Sequence, residues 1–229
     1  MQTKQKIRYT ADLGITILLP LLMAYSLVGE SAHEWLGMAM LLLLVVHHVL
    51  NRSWIKHLTK GKYSGLRLVQ TGLNVLLLVM MIGAMVSGIL MSRYVFGFLH
   101  IRWGMMWTQS VHLFCTYWSF LLMSLHLGLH WAILLKLICP NAARHHIFFL
   151  RCMAAAIAVL GIAASIRNRL TDYLFLKTHF VLWDVGTTLT SFLLDYLCIM
   201  GLFVCIGYYL GKAVSNISRK NKVGKDVLQ

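Results

Sequence analysis

The chain has 229 residues, of which 59% are apolar and only 12% are charged, and its formal net charge is +14. Repeated apolar runs long enough to cross a bilayer exclude a water-soluble globular enzyme and predict an all-α, polytopic membrane protein. The excess of basic residues is interpreted as a topology signal, and no nucleic-acid partner is expected.

Six transmembrane helices are predicted in chain order, all within one integral membrane domain over residues 1–229. Their approximate bounds are 12–28, 33–51, 70–91, 108–137, 150–166 and 188–211. The first is expected to be a retained helix, because its apolar run ends at Gly29 and Glu30 without a small-residue cleavage site. An even number of spans places sixteen of the 21 basic residues on the face that holds both termini. The positive-inside rule therefore predicts cytoplasmic termini.

Four histidines repeat one interval on the second and fourth predicted spans. His33 and His47 are fourteen residues apart, and so are His112 and His126. Fourteen helical residues rise about 21 Å and return to nearly the same face. Because an imidazole inside a membrane needs a partner and is a common haem ligand, the intervals predict two haems, one in each leaflet. His33 would pair with His112 at the outer level, and His47 with His126 at the inner level.

The inner level has competing histidines. His48 directly follows His47, and His130 lies one helical turn after His126. Either could replace its neighbour as an iron ligand, or adjacent histidines could bind a transition metal without a porphyrin. At the outer level neither His33 nor His112 has such a neighbour.

Several segments of residues 1–137 resemble the flavinylation-associated cytochromes, a family formerly catalogued as a domain of unknown function. The similar segments are HEWLG at 33–37, HHVLN at 47–51, SGILMS at 87–92, and the stretch from His112 through Tyr117, Trp118, His126 and His130 to Trp131. The resemblance implies a b-type cytochrome that carries electrons across a bacterial cytoplasmic membrane, in some cases towards flavin-bearing proteins outside it. We therefore expect a four-helix dihaem cytochrome b-like core over about 12–137 and two further helices over about 150–211.

Arginines near the histidines are candidates for contact with haem propionates, through charge-assisted hydrogen bonds. Arg93 and Arg102 flank the outer level, and Arg52 follows the inner histidines. His179 lies in the long connection before the last span, where an electron acceptor or a quinone head could approach the outer haem. Asp195 lies within the last apolar run, which indicates a position at the end of the helix, a polar partner or a proton path.

The expected function is transmembrane electron transfer by two b haems, between a quinol or cytoplasmic reductant and an extracytoplasmic flavin- or haem-bearing protein. The chain has neither a CxxCH haem-attachment motif nor a dinucleotide fingerprint, so a redox partner protein is needed. Membrane lipid surrounds the helices, and a quinone is a further candidate ligand. One alternative is a quinol-reactive membrane anchor subunit of a larger oxidoreductase. Another, of a different class, is a transporter of metal or haem.

Overall fold

The computed structural model describes residues 3–58, 60–61, 63–99, 104–138, 144–181 and 186–227, and these residues form helices and connecting turns without a β-strand. The α-helices are α1 (Thr3–Met23), α2 (Tyr25–Val28), α3 (Glu30–Leu50), α4 (Arg52–His57), α5 (Gly65–Met91), α6 (Met105–Ile138), α7 (Arg144–Arg167), α8 (Leu170–Leu174) and α9 (Leu189–Val227). A 3₁₀ turn covers Gly97–Leu99. The prediction of an all-α fold is confirmed for the part of the chain described.

Within the described residues, five helical segments are long and apolar enough to cross a membrane. They are Glu30–Leu50, Gly65–Met91, Met106–Lys136, Phe148–Arg167 and Leu189–Ser218. These segments correspond to the second to sixth predicted spans. The first predicted span, 12–28, is helical in large part but is not among the five, because α1 combines basic residues and Asp12 at one end with an early stop at Met23.

The chain turns between α1 and α3 at two helix breaks. Ala24 forms a turn after α1, and the short α2 then ends at Gly29. Gly29 has φ of +85°, a backbone conformation that a residue with a side chain rarely adopts. This glycine therefore allows α3 to begin in a new direction.

The chain divides into two compact units, and the first comprises Met1–Gly61, Met80–Trp118 and Thr171–Leu194. Within it, α1 packs against α3 in the antiparallel sense. Near the start of α1, the Arg8 guanidinium donates to the Leu50 carbonyl at the end of α3, over 2.9 Å. Further along α1, a side chain added at Gly14 would meet Leu43. The Leu50 carbonyl is one of the unpaired carbonyls of the α3 terminus, so Arg8 also caps that helix.

The second unit comprises Lys62–Val79, Ser119–Leu170 and Asp195–Gln229, and glycines bring its helices close together. A Cβ atom added to Gly128 on α6 would lie 3.0 Å from the Gly207 Cα on α9. A Cβ atom added to Gly161 on α7 would collide with the Cys198 carbonyl oxygen, also on α9. Small residues at helix contacts are typical of membrane proteins, where close backbone approach and dispersion replace the hydrophobic driving force.

Candidate functional site

The structure brings His33 and His112 together in the first unit. Their ring centres are 6.2 Å apart and their planes meet at 76°. Tyr25 meets the His33 ring edge-on, with centres 5.1 Å apart. The two histidines belong to α3 and α6, which are both long enough to cross a membrane. These are the two histidines that the sequence places at the outer level.

The separation of the two rings suits a metal ion bound between them. If one nitrogen of each ring bound the same metal ion from opposite sides, two bonds of about 2 Å and about 1.1 Å from each nitrogen to its ring centre would put the ring centres roughly 6 Å apart. The observed 6.2 Å agrees with that sum. The Nδ1 atom of His33 is buried and has no hydrogen-bond partner among the described residues, which is unusual for a buried polar atom.

The His112 ring is held by the end of α5. Its Nδ1 atom lies 3.0 Å from the Ala84 carbonyl oxygen and 3.1 Å from the Ser87 hydroxyl oxygen. That hydroxyl itself donates to the Gly83 carbonyl, so both contacts require the proton on Nδ1. The Nε2 lone pair of His112 is then available for a metal. Metal-ligating histidines characteristically donate their second ring N–H to a carbonyl or carboxylate in this way.

Two glycines near this pair differ in what surrounds them. A Cβ atom at Gly88 would lie 3.3 Å from Cε1 of His112, so this glycine makes room for the imidazole. A Cβ atom at Gly37, one turn after His33, would meet nothing within 4 Å. Gly88 therefore accommodates the imidazole ring, whereas the space beside Gly37 is open.

The carboxylate of Glu34 joins the start of α3 to the segment that follows α5. Its Oε2 atom accepts from the Ser92 hydroxyl at 2.6 Å and from the Tyr94 and Val95 backbone N–H groups at 2.9 and 2.8 Å. Its Oε1 atom accepts from the Arg93 backbone N–H at 2.7 Å. A concave run of N–H groups of this kind binds anions. Because Glu34 adjoins His33, the contact also fixes His33 relative to the end of α5.

His47 and His48 of α3, which the sequence predicts at the inner level, also have anchored Nδ1 atoms. The His47 Nδ1 lies 2.7 Å from Oδ1 of Asp12 on α1. The His48 Nδ1 lies 2.8 Å from the Leu44 carbonyl oxygen of its own helix. Since both partners are acceptors, each histidine keeps a proton on Nδ1 and presents Nε2. Both therefore remain suitable ligands.

The second unit contains His126 and His130. The His126 Nδ1 lies 2.7 Å from Oδ1 of Asn74 on α5, and the two imidazole ring centres are 4.9 Å apart. His126 thus has the same arrangement as His112, with a side-chain amide in place of a backbone carbonyl. His47 belongs to the first unit and His126 to the second.

The three arginines proposed as propionate partners have different positions. Arg93 is exposed over 67% of its side chain and forms an ion pair with Glu30, with a nitrogen–oxygen distance of 3.3 Å. Arg52 is exposed at the start of α4. Arg102 lies outside the described residues. A propionate role therefore remains a prediction for all three.

His179 reaches the helix that carries His112. It is exposed, and its Nδ1 lies 3.0 Å from the hydroxyl oxygen of Ser110, which itself donates to the Met106 carbonyl. His179 therefore donates to Ser110, which lies two residues before His112. The hydroxyl of the adjacent residue, Thr178, is buried and has no hydrogen-bond partner among the described residues.

Asp195 has polar partners in the second unit. Its carboxylate accepts from Arg167 Nε at 2.9 Å and from the Asn168 amide at 2.8 Å, and Arg167 Nη2 also contacts it. Only 14% of the Asp195 side chain is exposed. Of the readings that the sequence allowed, the structure shows the polar partner, and the ion pair joins the end of α7 to the first part of α9.

Sequence reasoning missed four groups around the histidines: Asp12, Asn74, Glu34 and the Ala84 carbonyl. Asp12 is the only acidic residue before Glu30, and Asn74 is a polar residue within an apolar run, so each carried a signal. The Ala84 carbonyl carried none, because every residue has one.

No three His, Cys, Asp or Glu side chains among the described residues form a metal-binding group. A haem iron could be held by two histidines, and His33 and His112 are the two side chains that would hold it here. No protein-family model, curated protein or solved structure matches this chain.

Proposed function

We propose that this chain is a dihaem b-type membrane cytochrome that transfers electrons across the bacterial cytoplasmic membrane. The observation that carries the proposal is the His33–His112 pair, with ring centres 6.2 Å apart on two helices long and apolar enough to cross a membrane. Haem supplies the one-electron chemistry when bound, and the protein supplies ligation, orientation and electrostatic tuning.

The outer haem would be held by His33 and His112. Ala84 and Ser87 keep the His112 proton on Nδ1, and Glu34 fixes the start of α3 against the segment after α5. Each contact acts on the position or protonation of a ligand before any haem binds. The site is therefore preorganised, which reduces the free-energy cost of ordering the ligands.

The inner haem would take one ligand from His47 or His48 and one from His126 or His130. The support is the repeated interval of fourteen residues in the sequence, together with the Nδ1 anchoring of His47, His48 and His126 within their own units. A carboxylate, a carbonyl and an amide serve as the three acceptors.

Six spans, rather than five, are part of this proposal. The support for a sixth is that α1 and α2 lie alongside α3, from Arg8 near Leu50 at one end to Tyr25 beside His33 at the other. A helix that follows a membrane-spanning partner along its length would occupy the same depth. Six spans and the distribution of basic residues then give cytoplasmic termini.

Electrons would pass between a quinol or cytoplasmic reductant and an extracytoplasmic flavin- or haem-bearing protein. A related proposal is a quinol-reactive anchor subunit of a larger oxidoreductase. It is favoured by the contact of the exposed His179 with Ser110, two residues before the candidate ligand His112, since such an imidazole could bind a quinone oxygen. Copurification with a catalytic subunit would favour this second reading.

A reduced-minus-oxidised optical spectrum with a pyridine haemochrome assay tests the proposal. We expect two b haems per chain. His33→Ala, His112→Ala, His47→Ala and His126→Ala should each remove about one haem, because each deletes one axial ligand. His48→Ala and His130→Ala are the matched controls and should keep two.

A colourless protein after expression with ample haem, combined with metal flux into vesicles, would show a transporter instead. Loss of a haem in His48→Ala but not in His47→Ala would overturn the choice of inner ligand while leaving the cytochrome proposal intact. The same comparison applies to His130 and His126.

A further inference from the structure

Asp12 is the one acidic residue of α1, and its partner is a candidate haem ligand. The Asp12 Oδ1 lies 2.7 Å from the His47 Nδ1, with side-chain exposures of 42% and 29%. A carboxylate placed among apolar residues of a membrane protein is costly, so such residues usually serve a function. The group that the Asp12 carboxylate contacts is the imidazole of His47.

The hydrogen bond with Asp12 determines which ring nitrogen of His47 carries the proton. An ionised carboxylate can only accept hydrogen bonds, so the imidazole carries its proton on Nδ1 and keeps the Nε2 lone pair for a metal. A negative charge on the N–H side also increases the electron-donating strength of the ring. A stronger donor stabilises ferric over ferrous iron, which lowers the reduction potential.

A second contact between α1 and α3 keeps Asp12 level with His47. Arg8 lies one helical turn before Asp12, and its guanidinium donates to the Leu50 carbonyl, one turn after His47. The two contacts follow the same antiparallel pairing of α1 with α3. Asp12 is therefore held opposite His47 by more than its own hydrogen bond.

His48 has a different environment. Its Nδ1–H group donates a hydrogen bond to the Leu44 carbonyl of α3, a neutral acceptor within the same helix. That contact orients the ring but puts no negative charge beside it. The carboxylate thus distinguishes the two adjacent histidines.

We propose that Asp12 is a positioning and tuning residue for the inner haem: it selects His47 as the ligand and lowers the potential of the haem that His47 binds. The inference rests on the proposed cytochrome function and deepens it. It gives α1 a role in the chemistry as well as in packing.

Asp12→Asn is the decisive variant, because asparagine keeps an oxygen that can accept from Nδ1 but removes the charge. Optical potentiometric titration of the purified protein should show two haems, with the midpoint potential of one raised and that of the other unchanged. Asp12→Glu retains the charge and should leave that haem lower in potential than it is in Asp12→Asn. Asp195→Asn is the control, since its carboxylate contacts Arg167 and Asn168, and it should leave both potentials unchanged.

Unchanged potentials in Asp12→Asn, or the same rise in Asp195→Asn, would overturn the tuning role. His47→Ala and His48→Ala test the ligand assignment independently of how well Asp12→Asn folds: retention of both haems in His47→Ala overturns it. A wild-type protein without haem would instead refute the cytochrome proposal, so the two failures can be told apart.

Discussion

Replacing Glu34 by glutamine tests whether its four hydrogen bonds hold the outer pair of histidines in place. The glutamine oxygen can occupy the position of Oε2 and still accept from Ser92, Tyr94 and Val95. Its amide nitrogen would then face the Arg93 N–H, so a donor would meet a donor. The variant therefore weakens three bonds and removes one.

The size of the effect follows from these bonds. Hydrogen bonds to a charged acceptor contribute about 1.5–3 kcal/mol and neutral ones about 0.5–1.5, so the lost charge costs about 1 kcal/mol for each of three bonds. A buried donor without a partner costs about 1–3 kcal/mol more. The Arg93 and Tyr94 amides are exposed, so water recovers part of this, and we expect about 2 kcal/mol net.

Thermal unfolding in detergent and the haem count together measure this effect. A loss of about 2 kcal/mol corresponds to a Tm lower by about 4–8 °C for a chain of this size, and we expect incomplete occupancy of the haem that His33 binds. Glu30→Gln is the matched control. Its carboxylate lies one turn earlier, and its pair with the exposed Arg93 contributes only about 0–1 kcal/mol. If Glu34→Gln lowered the Tm and the haem count no more than Glu30→Gln does, the role of Glu34 in holding the histidine pair in place would be refuted.

Two further predictions concern glycines. Gly88→Val should push the His112 ring away from the Ala84 carbonyl, because even a Cβ atom at Gly88 would lie 3.3 Å from Cε1 of His112. The folded variant should therefore bind one haem fewer. A haemochrome count of two would contradict this. Gly128→Val should separate α6 from α9 and cost about 1–3 kcal/mol, as overpacking does, seen as a lower Tm. The control is Gly72→Ala, where a Cβ atom meets nothing within 4 Å, and an equal loss in both variants would contradict the contact.

The sequence predicted the spans better than it predicted the helix ends. Hydropathy locates the part of a helix that lies in lipid, and the second to sixth spans are accordingly found as helices. Polar residues beyond the lipid continue the same helices, so α9 extends to Val227 where the last span was predicted to end near 211. At the start, α1 begins at Thr3, well before the predicted span at 12.

The candidate site was predictable in depth but not in its hydrogen-bond partners. His33 and His112 each lie near the start of spans that the predicted topology runs in the same direction, which is why they could be expected at one level, and the structure places them next to each other. The partner of an imidazole depends instead on how two helices are rotated and offset by a residue or two. That is a property of side-chain packing, so the contact of His126 with Asn74 could not be read from spacing.

The antiparallel pairing of α1 with α3 also bears on how the chain enters the bilayer during synthesis. An aspartate in an inserting helix is costly, up to about 2.5–3.5 kcal/mol at the helix centre on translocon scales and less towards the helix end, and Asp12 leaves the ribosome before its partner His47 does. We expect the two helices to partition into lipid together as a helical hairpin, in which the imidazole compensates the carboxylate. The insertion of the first helix is then a joint property of residues 3–50.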